Sequence, residues 1–171
     1  FLVTAGPTHE KIDPVRFIGN RSSGKMGFEI AEAIANNGGE VILVSGPSRL
    51  RTTHPNIRTH FVESAEEMYQ ASLEHFSDVD AAIMTAAVAD YRPSKPSGSK
   101  IKKSNSELHI DLEPTQDILA SLGKIKDHQL LIGFALETDN EIENARKKLN
   151  PKNADMIVLN SLNVEGAGFD V

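Results

Sequence analysis

Cysteine is absent from the sequence, which excludes a disulfide framework, thiolate metal sites and a cysteine nucleophile. No apolar run approaches the ~18–20 residues that cross a bilayer as a helix. Positive charge is sparse: 18 Lys and Arg stand against 24 Asp and Glu, a net charge of −6, and they concentrate only at Lys100, Lys102 and Lys103. That distribution argues against a broad nucleic-acid surface while leaving room for a local anion site. There is no signal peptide and no initiator Met; Phe1 opens directly in a strand-like run, and the chain stops just after a glycine-rich turn. The expectation is a fragment of a longer chain. With 39% hydrophobic and 25% charged residues, it should form one soluble domain over residues 1–171, of a kind that fits the cytoplasm.

Present instead are short apolar runs rich in β-branched residues, alternating with stretches of helical period. FLVTA (1–5), EVILVS (40–45), IRTHFV (57–62), DAAIMTAAV (80–88), LLIGFAL (130–136) and DMIVLN (155–160) read as strands. Residues 24–37, 65–76, 115–126 and 140–149 read as helices. Ser64, Thr115 and Asp139 or Asn140 suit N-caps, and Gly38-Gly39 suits a stop. This alternation predicts an α/β fold: a doubly wound, mostly parallel Rossmann-like sheet with helices on both faces. The stretch YRPSKPSGSKIKK, followed by the alternating LHIDLE, breaks the rhythm. It predicts a flap with an antiparallel strand around 91–113, or else a plain linker.

In such a sheet, ligands sit beyond the carboxyl ends of the strands. The first of those ends lacks the G-x-G-x-x-G turn of dinucleotide-binding folds and carries a long insertion instead, ending in NRSSGKMG. That stretch is not a P-loop, because Met26 follows Gly24-Lys25 where a hydroxyl is required. Backbone N–H groups at Ser23, Gly24 and Lys25 could hold an anion at a helix N-terminus; Ser22 and Ser23 are equally ordinary caps. Asn20 could donate to an oxyanion or carbonyl, or simply make a turn. Asp13 with Arg16 reads as a structural ion pair, and His9 receives no role. Lys100, Lys102 and Lys103 on the flap could close over a polyphosphate, or face water. Asp90 could accept a ribose hydroxyl, hold a metal or cap a turn. Lys148 and Lys152 could reach phosphates or complement a helix C-terminus.

The strings GPTHEKIDPVRFIGNRSSGKMG, AAVADYRP, KIKK, DIL, GFALET and ARKKL…KNADMIVLN, in that order, span nearly the whole chain. Together they resemble phosphopantothenoylcysteine synthetase, which in many bacteria is the C-terminal half of a bifunctional coenzyme A biosynthesis protein fused to a flavin-dependent decarboxylase. The resemblance implies a ligase joining 4′-phosphopantothenate to L-cysteine. The carboxylate attacks the α-phosphate of a nucleoside triphosphate; the amine of cysteine then displaces the nucleotide from the acyl-nucleotidylate. It implies Mg²⁺, CTP from the bacterial wording of GPTHEKIDPVR, and a homodimer.

Carried onto this sequence, Asn20 matches the asparagine that serves the acyl-nucleotidylate, and Lys100 the flap lysine needed to form it. Ala86, Ala87, Asp90, Phe134, Lys148 and Lys152 match nucleotide contacts. Gln116, Asp117, Ile118 and Leu119 match a nucleotide-binding turn in which Gln116 replaces the family's proline. Ser22, Ser23 and Gly24 would cradle a phosphate of the substrate or the nucleotide. The metal ligands are not identified. A nicotinamide-dependent reductase or nucleotide-sensing module, with Arg49 and Arg51 reading a 2′-phosphate, is the alternative, and the missing glycine fingerprint weighs against it. An inactive assembly domain is a third reading, opposed by the presence of both Asn20 and Lys100.

Overall fold

The computed structural model describes residues 1–103, 107–137, 143, 146 and 149–161. In chain order the elements are β1 (Leu2–Ala5), β2 (His9–Lys11), β3 (Phe17–Gly19), α1 (Lys25–Asn36), β4 (Val41–Ser45), β5 (Ile57–Phe61), α2 (Ala65–Phe76), β6 (Ala81–Met84), β7 (Tyr91–Pro93), β8 (Leu112–Pro114), α3 (Ile118–Ile125), β9 (Leu130–Glu137) and β10 (Met156–Ser161). Six strands form one sheet in the order β10-β9-β6-β1-β4-β5, and all five pairings are parallel. The chain works outward from β1 through β4 to β5, then crosses to β6 on the other side of β1. Strand order therefore reverses between β1 and β6, which is where such sheets open a crevice.

Successive strand residues face opposite sides, so strands buried on both faces read as unbroken apolar runs. Leu2, Val44, Ala82 and Leu131 pack against Met68 and Phe76 of α2 and Ile118 and Leu122 of α3. Val3, Leu43 and Ile83 turn the other way, onto Phe28, Ala31 and Ala35 of α1. The expected helices on both faces are present.

Local chemistry explains the element ends. Ser64 and Glu67 form a full capping box at the start of α2, satisfying two backbone donors reciprocally. At the end of α1, Gly38 takes φ 88°, a left-handed turn that closes the helix with bonds from Gly38 N to Ala35 O and from Gly39 N to Ile34 O.

Several boundaries differ from the sequence expectation. The strand read over 80–88 stops at Met84, because Ala86 N–H turns to Thr4 Oγ1 and Ala87 N–H to Gly6 O. Thr115 is not the N-cap of α3: its hydroxyl donates to Ala89 O at 2.6 Å, and Asp117 caps the helix by accepting from Ala120 N–H. The start of α1 is capped by Gly24 in the left-handed region, not by a serine. The flap is a two-stranded antiparallel ribbon in which β7 pairs with β8, but the alternating LHIDLE enters it only at Leu112. The long segment after β1 forms an unforeseen hairpin of β2 against β3. Of the helix read over 140–149, Glu143, Arg146 and Leu149 are helical; its expected caps, Asp139 and Asn140, lie outside the described residues.

Candidate active site

The loops that follow β1 and β6 run side by side across the switch point. Pro7 and Ala87 form a parallel bridge, and Thr8 Oγ1 accepts from Ala89 N–H at 2.9 Å. Two buried threonines, Thr4 and Thr8, thus hold Ala86 through Ala89 in place. Their hydroxyls satisfy backbone groups that leave the sheet here, which a valine of the same shape would orphan.

The β2–β3 hairpin delivers Asn20 to this edge. Gly19 ends β3 opposite His9, in a place where a Cβ would come within 2.7 Å of Thr8 O, so the end of β3 closes tightly on the entry to β2. Asn20 follows directly, exposed, and its Nδ2 donates to Val88 O at 2.9 Å. Asn20 Nδ2 also lies 3.5 Å from Ala87 O, so the structure brings Asn20 beside the loop that carries Ala86 and Ala87.

Gly19 also stands five residues before Gly24, so the stretch departs from a P-loop by its last position and by its setting. Its leading strand is half of an antiparallel hairpin, not a strand of the parallel sheet. In the loop itself Ser22 Oγ accepts from Gly24 N–H at 3.2 Å and Ser23 Oγ from Lys25 N–H at 3.4 Å. These two donors are engaged by their own serines and do not both point outward unpaired, contrary to the sequence expectation. Gly24 takes φ 85°, and a Cβ there would lie 3.1 Å from Gly6 N; Ser48 Oγ donates to Ser23 O at 2.6 Å. The loop is pinned to the ends of β1 and β4.

The flap is tied to the same hairpin. Asp13, 2% exposed, accepts from Val15 N–H, Arg16 N–H, Arg16 Nε and Arg16 Nη2. It also accepts from Ile101 N–H at 3.1 Å, while Arg16 Nη2 donates to Ile101 O at 2.7 Å. The Arg16 guanidinium, aided by these backbone donors, holds the Asp13 carboxyl far below the usual carboxylate range. Lys100, next to Ile101, is exposed, as are Lys102 and Lys103. The expected Asp13–Arg16 ion pair is present; its grip on the flap had no counterpart in the sequence reading.

On the other side of β6 lie the residues assigned to a nucleotide. Asp90 is exposed, and its carbonyl accepts from Thr115 N–H at 2.9 Å. Gln116 and Asp117 are exposed in the next turn. Ile118 is buried in the core beneath α3, and the partly buried Leu119 packs against it. Phe134 of β9 packs on the opposite face, with the α1 cluster. Lys152 pairs with Asp117 at 3.1 Å. Lys148 lies outside the described residues. Arg51, assigned to a 2′-phosphate in the alternative reading, donates to Ser48 O and Leu50 O and lies over Phe61. Among the described residues, no group of three or more His, Cys, Asp or Glu is assembled to hold a metal, and no helix is long and apolar enough to cross a membrane.

A six-stranded Rossmann-like sheet, with its polar loops and two small antiparallel ribbons gathered at the strand-order switch, defines an α/β protein of the doubly wound class. Residues 1–171 match the family model of the DNA/pantothenate metabolism flavoprotein C-terminal domain, and the chain belongs to that family. It is 56% identical over 169 residues to a cysteine/cysteine sulfinic acid decarboxylase from an unknown prokaryotic organism, covering 98% of this chain and 47% of that protein. It is 46% identical over 170 residues to the coenzyme A biosynthesis bifunctional protein CoaBC of Bacillus subtilis (strain 168), covering 98% of this chain and 41% of that protein. The crystal structure of the C-terminal domain of a CoaBC protein superposes with a TM-score of 0.80 at 56% identity, covering 93% of this chain and 75% of that one. The chain spans less than half the length of these two curated relatives.

Proposed function

We propose that the chain is the synthetase domain of a coenzyme A biosynthesis protein, fused in the full protein to a flavin-dependent decarboxylase and working in the cytoplasm as a homodimer. It condenses 4′-phosphopantothenate with L-cysteine. A carboxylate oxygen of the substrate attacks the α-phosphorus of CTP and pyrophosphate leaves. The cysteine amine then attacks the acyl carbonyl of the cytidylate and CMP leaves, the amine proton passing to solvent. A carboxylate is a poor electrophile, and the nucleotidyl leaving group makes its carbonyl attackable.

The observation that carries this reading is the β2–β3 hairpin, which bonds Asn20 to Val88 O at one end and Ile101, beside Lys100, at the other. In this reading Lys100 offsets phosphate charge in the first step and Asn20 orients the acyl intermediate. Ser22, Ser23 and Gly24 face a phosphate, and Asp90, Gln116, Asp117, Leu119, Phe134, Lys148 and Lys152 surround the nucleotide. Mg²⁺ would enter bound to the triphosphate, which asks for no more than one or two protein carboxylates.

The test is pyrophosphate release with Mg²⁺ and 4′-phosphopantothenate, with CTP and ATP tried separately, before and after cysteine is added. Release with CTP, and a mass matching the acyl-cytidylate, is the expected result. Lys100→Gln should block the first step, and Asn20→Asp should let the cytidylate accumulate. Carbon dioxide released from cysteine or cysteine sulfinate without nucleotide would instead favour the activity named for the 56% identical relative.

A further inference from the structure

We infer that Asp13 is a positioning residue for the flap, fixing the backbone at Ile101 and thereby the base from which Lys100 works. The inference rests on the role proposed for Lys100.

A charged side chain in a surface hairpin turn has no need to be buried, and burying one is costly unless every lone pair is met. Asp13 is nonetheless 2% exposed. Three of the five bonds it accepts come from Val15 N–H, Arg16 N–H and Arg16 Nε, at 2.8, 2.9 and 2.9 Å. These would suffice for a local turn. The remaining two explain the burial: Arg16 Nη2 at 2.5 Å, which also donates to Ile101 O, and Ile101 N–H itself. One ion pair thus takes both backbone groups of a single flap residue, as a neighbouring strand would. A second point of attachment lies close by, where Ser97 N–H donates to Ile12 O at 2.8 Å.

Lys100 sits between those two attachments with its side chain exposed. Its backbone is held while its four-carbon stem stays free, which lowers the ordering cost when the ammonium meets phosphate. The same hairpin continues through β3 to Asn20, so its turn holds the residue proposed for the first chemical step and its end carries the residue proposed for the second.

The experiment compares the parent with Asp13→Asn, which keeps the shape but removes the charge, and with Asp13→Ala. Three readouts are taken: tryptic cleavage after Lys100, Lys102 and Lys103, single-turnover formation of acyl-cytidylate, and consumption of preformed acyl-cytidylate by cysteine. Cleavage at the three lysines should quicken about tenfold as the local opening equilibrium shifts. Acyl-cytidylate formation should slow on the order of 10²-fold, as for a misplaced group, while its consumption by cysteine proceeds at the parent rate. Parent-like cleavage in both variants would overturn the proposal. So would equal slowing of both chemical steps with a lowered unfolding temperature, which would make Asp13 a stabiliser of the hairpin alone. If the parent itself formed no acyl-cytidylate with any nucleotide, the proposed function would fail, and the cleavage rates, which need no turnover, would still decide whether Asp13 fixes the flap.

Discussion

Lys152 Nζ lies 3.1 Å from Asp117 Oδ2, so two residues assigned to nucleotide binding from the sequence are bonded to each other across the α3 N-terminus. Asp117 has a second duty there, accepting from Ala120 N–H at 2.9 Å. The two partners should therefore fail differently. Lys152→Met should cost under about 1 kcal/mol, as for partly exposed ion pairs, yet, on the role proposed for it, weaken CTP binding. Asp117→Ala should cost about 1 kcal/mol through the lost cap and, on the proposed nucleotide role, weaken CTP as well. Thermal unfolding with calorimetric titration of CTP separates them.

Gly123 of α3 approaches the same loop so closely that a Cβ would lie 1.9 Å from Lys152 O. Gly123→Ala must push the 150–153 turn away. The expected loss is about 1–3 kcal/mol, typical of overpacking, and, on the nucleotide role proposed for Lys152, CTP binding should weaken as the turn is displaced. An unfolding midpoint equal to that of the parent would contradict this.

Thr115 ties the α3 entry turn to the loop that bears Asp90, its hydroxyl donating to Ala89 O. Thr115→Val preserves shape and removes that bond. A cost of about 1–3 kcal/mol is expected for the stranded carbonyl, with a matching fall in nucleotide affinity if Asp90 contacts it. Denaturant unfolding measures the first and titration the second.

How much of this was legible in the sequence depended on where the determining partner lay. FLVTA and EVILVS announced themselves because β1 and β4 are buried on both faces, which demands continuous apolar residues. The β2–β3 hairpin could not be seen: each strand has three residues, and the exposed-intermediate-exposed pattern of β3 carries almost no hydrophobic signal. Thr115 looked like a cap because Thr caps helices; only the tertiary contact with Ala89 reveals its other use. In the candidate site, the Asp13–Arg16 pair was readable at three residues' spacing, whereas the bond from Asp13 to Ile101 spans 88 positions.

Acid should destabilise the fold partly through His60. Its imidazole is held below the ordinary histidine range, first by burial, then by His75 and Arg58, with Glu74 opposing. Its Nε2 and that of His75 are buried without a hydrogen-bond partner. The unfolded chain therefore takes up a proton at a higher pH than the folded one. The stability contributed by the neutral ring is present above about pH 6.5 and declines as pH falls from there toward the lowered folded value. Urea midpoints at pH 7.5 and 5.5 should show the decline, and His60→Phe should flatten it.

Among the described residues, neither apolar core draws one from 9–19 or 91–114. The hairpin and the flap are attachments, joined to each other by Asp13, Arg16 and Ile101 and resting on a sheet whose apolar packing is complete without them. Of the residues proposed for the reaction, Lys100 lies within these inserts and Asn20 directly follows the hairpin, whereas Ala86, Ile118, Leu119 and Phe134 pack with the cores themselves. A change confined to the inserts therefore reaches Lys100 without disturbing the interior, whereas the core-packed residues proposed for the nucleotide cannot be altered apart from the packing that holds them.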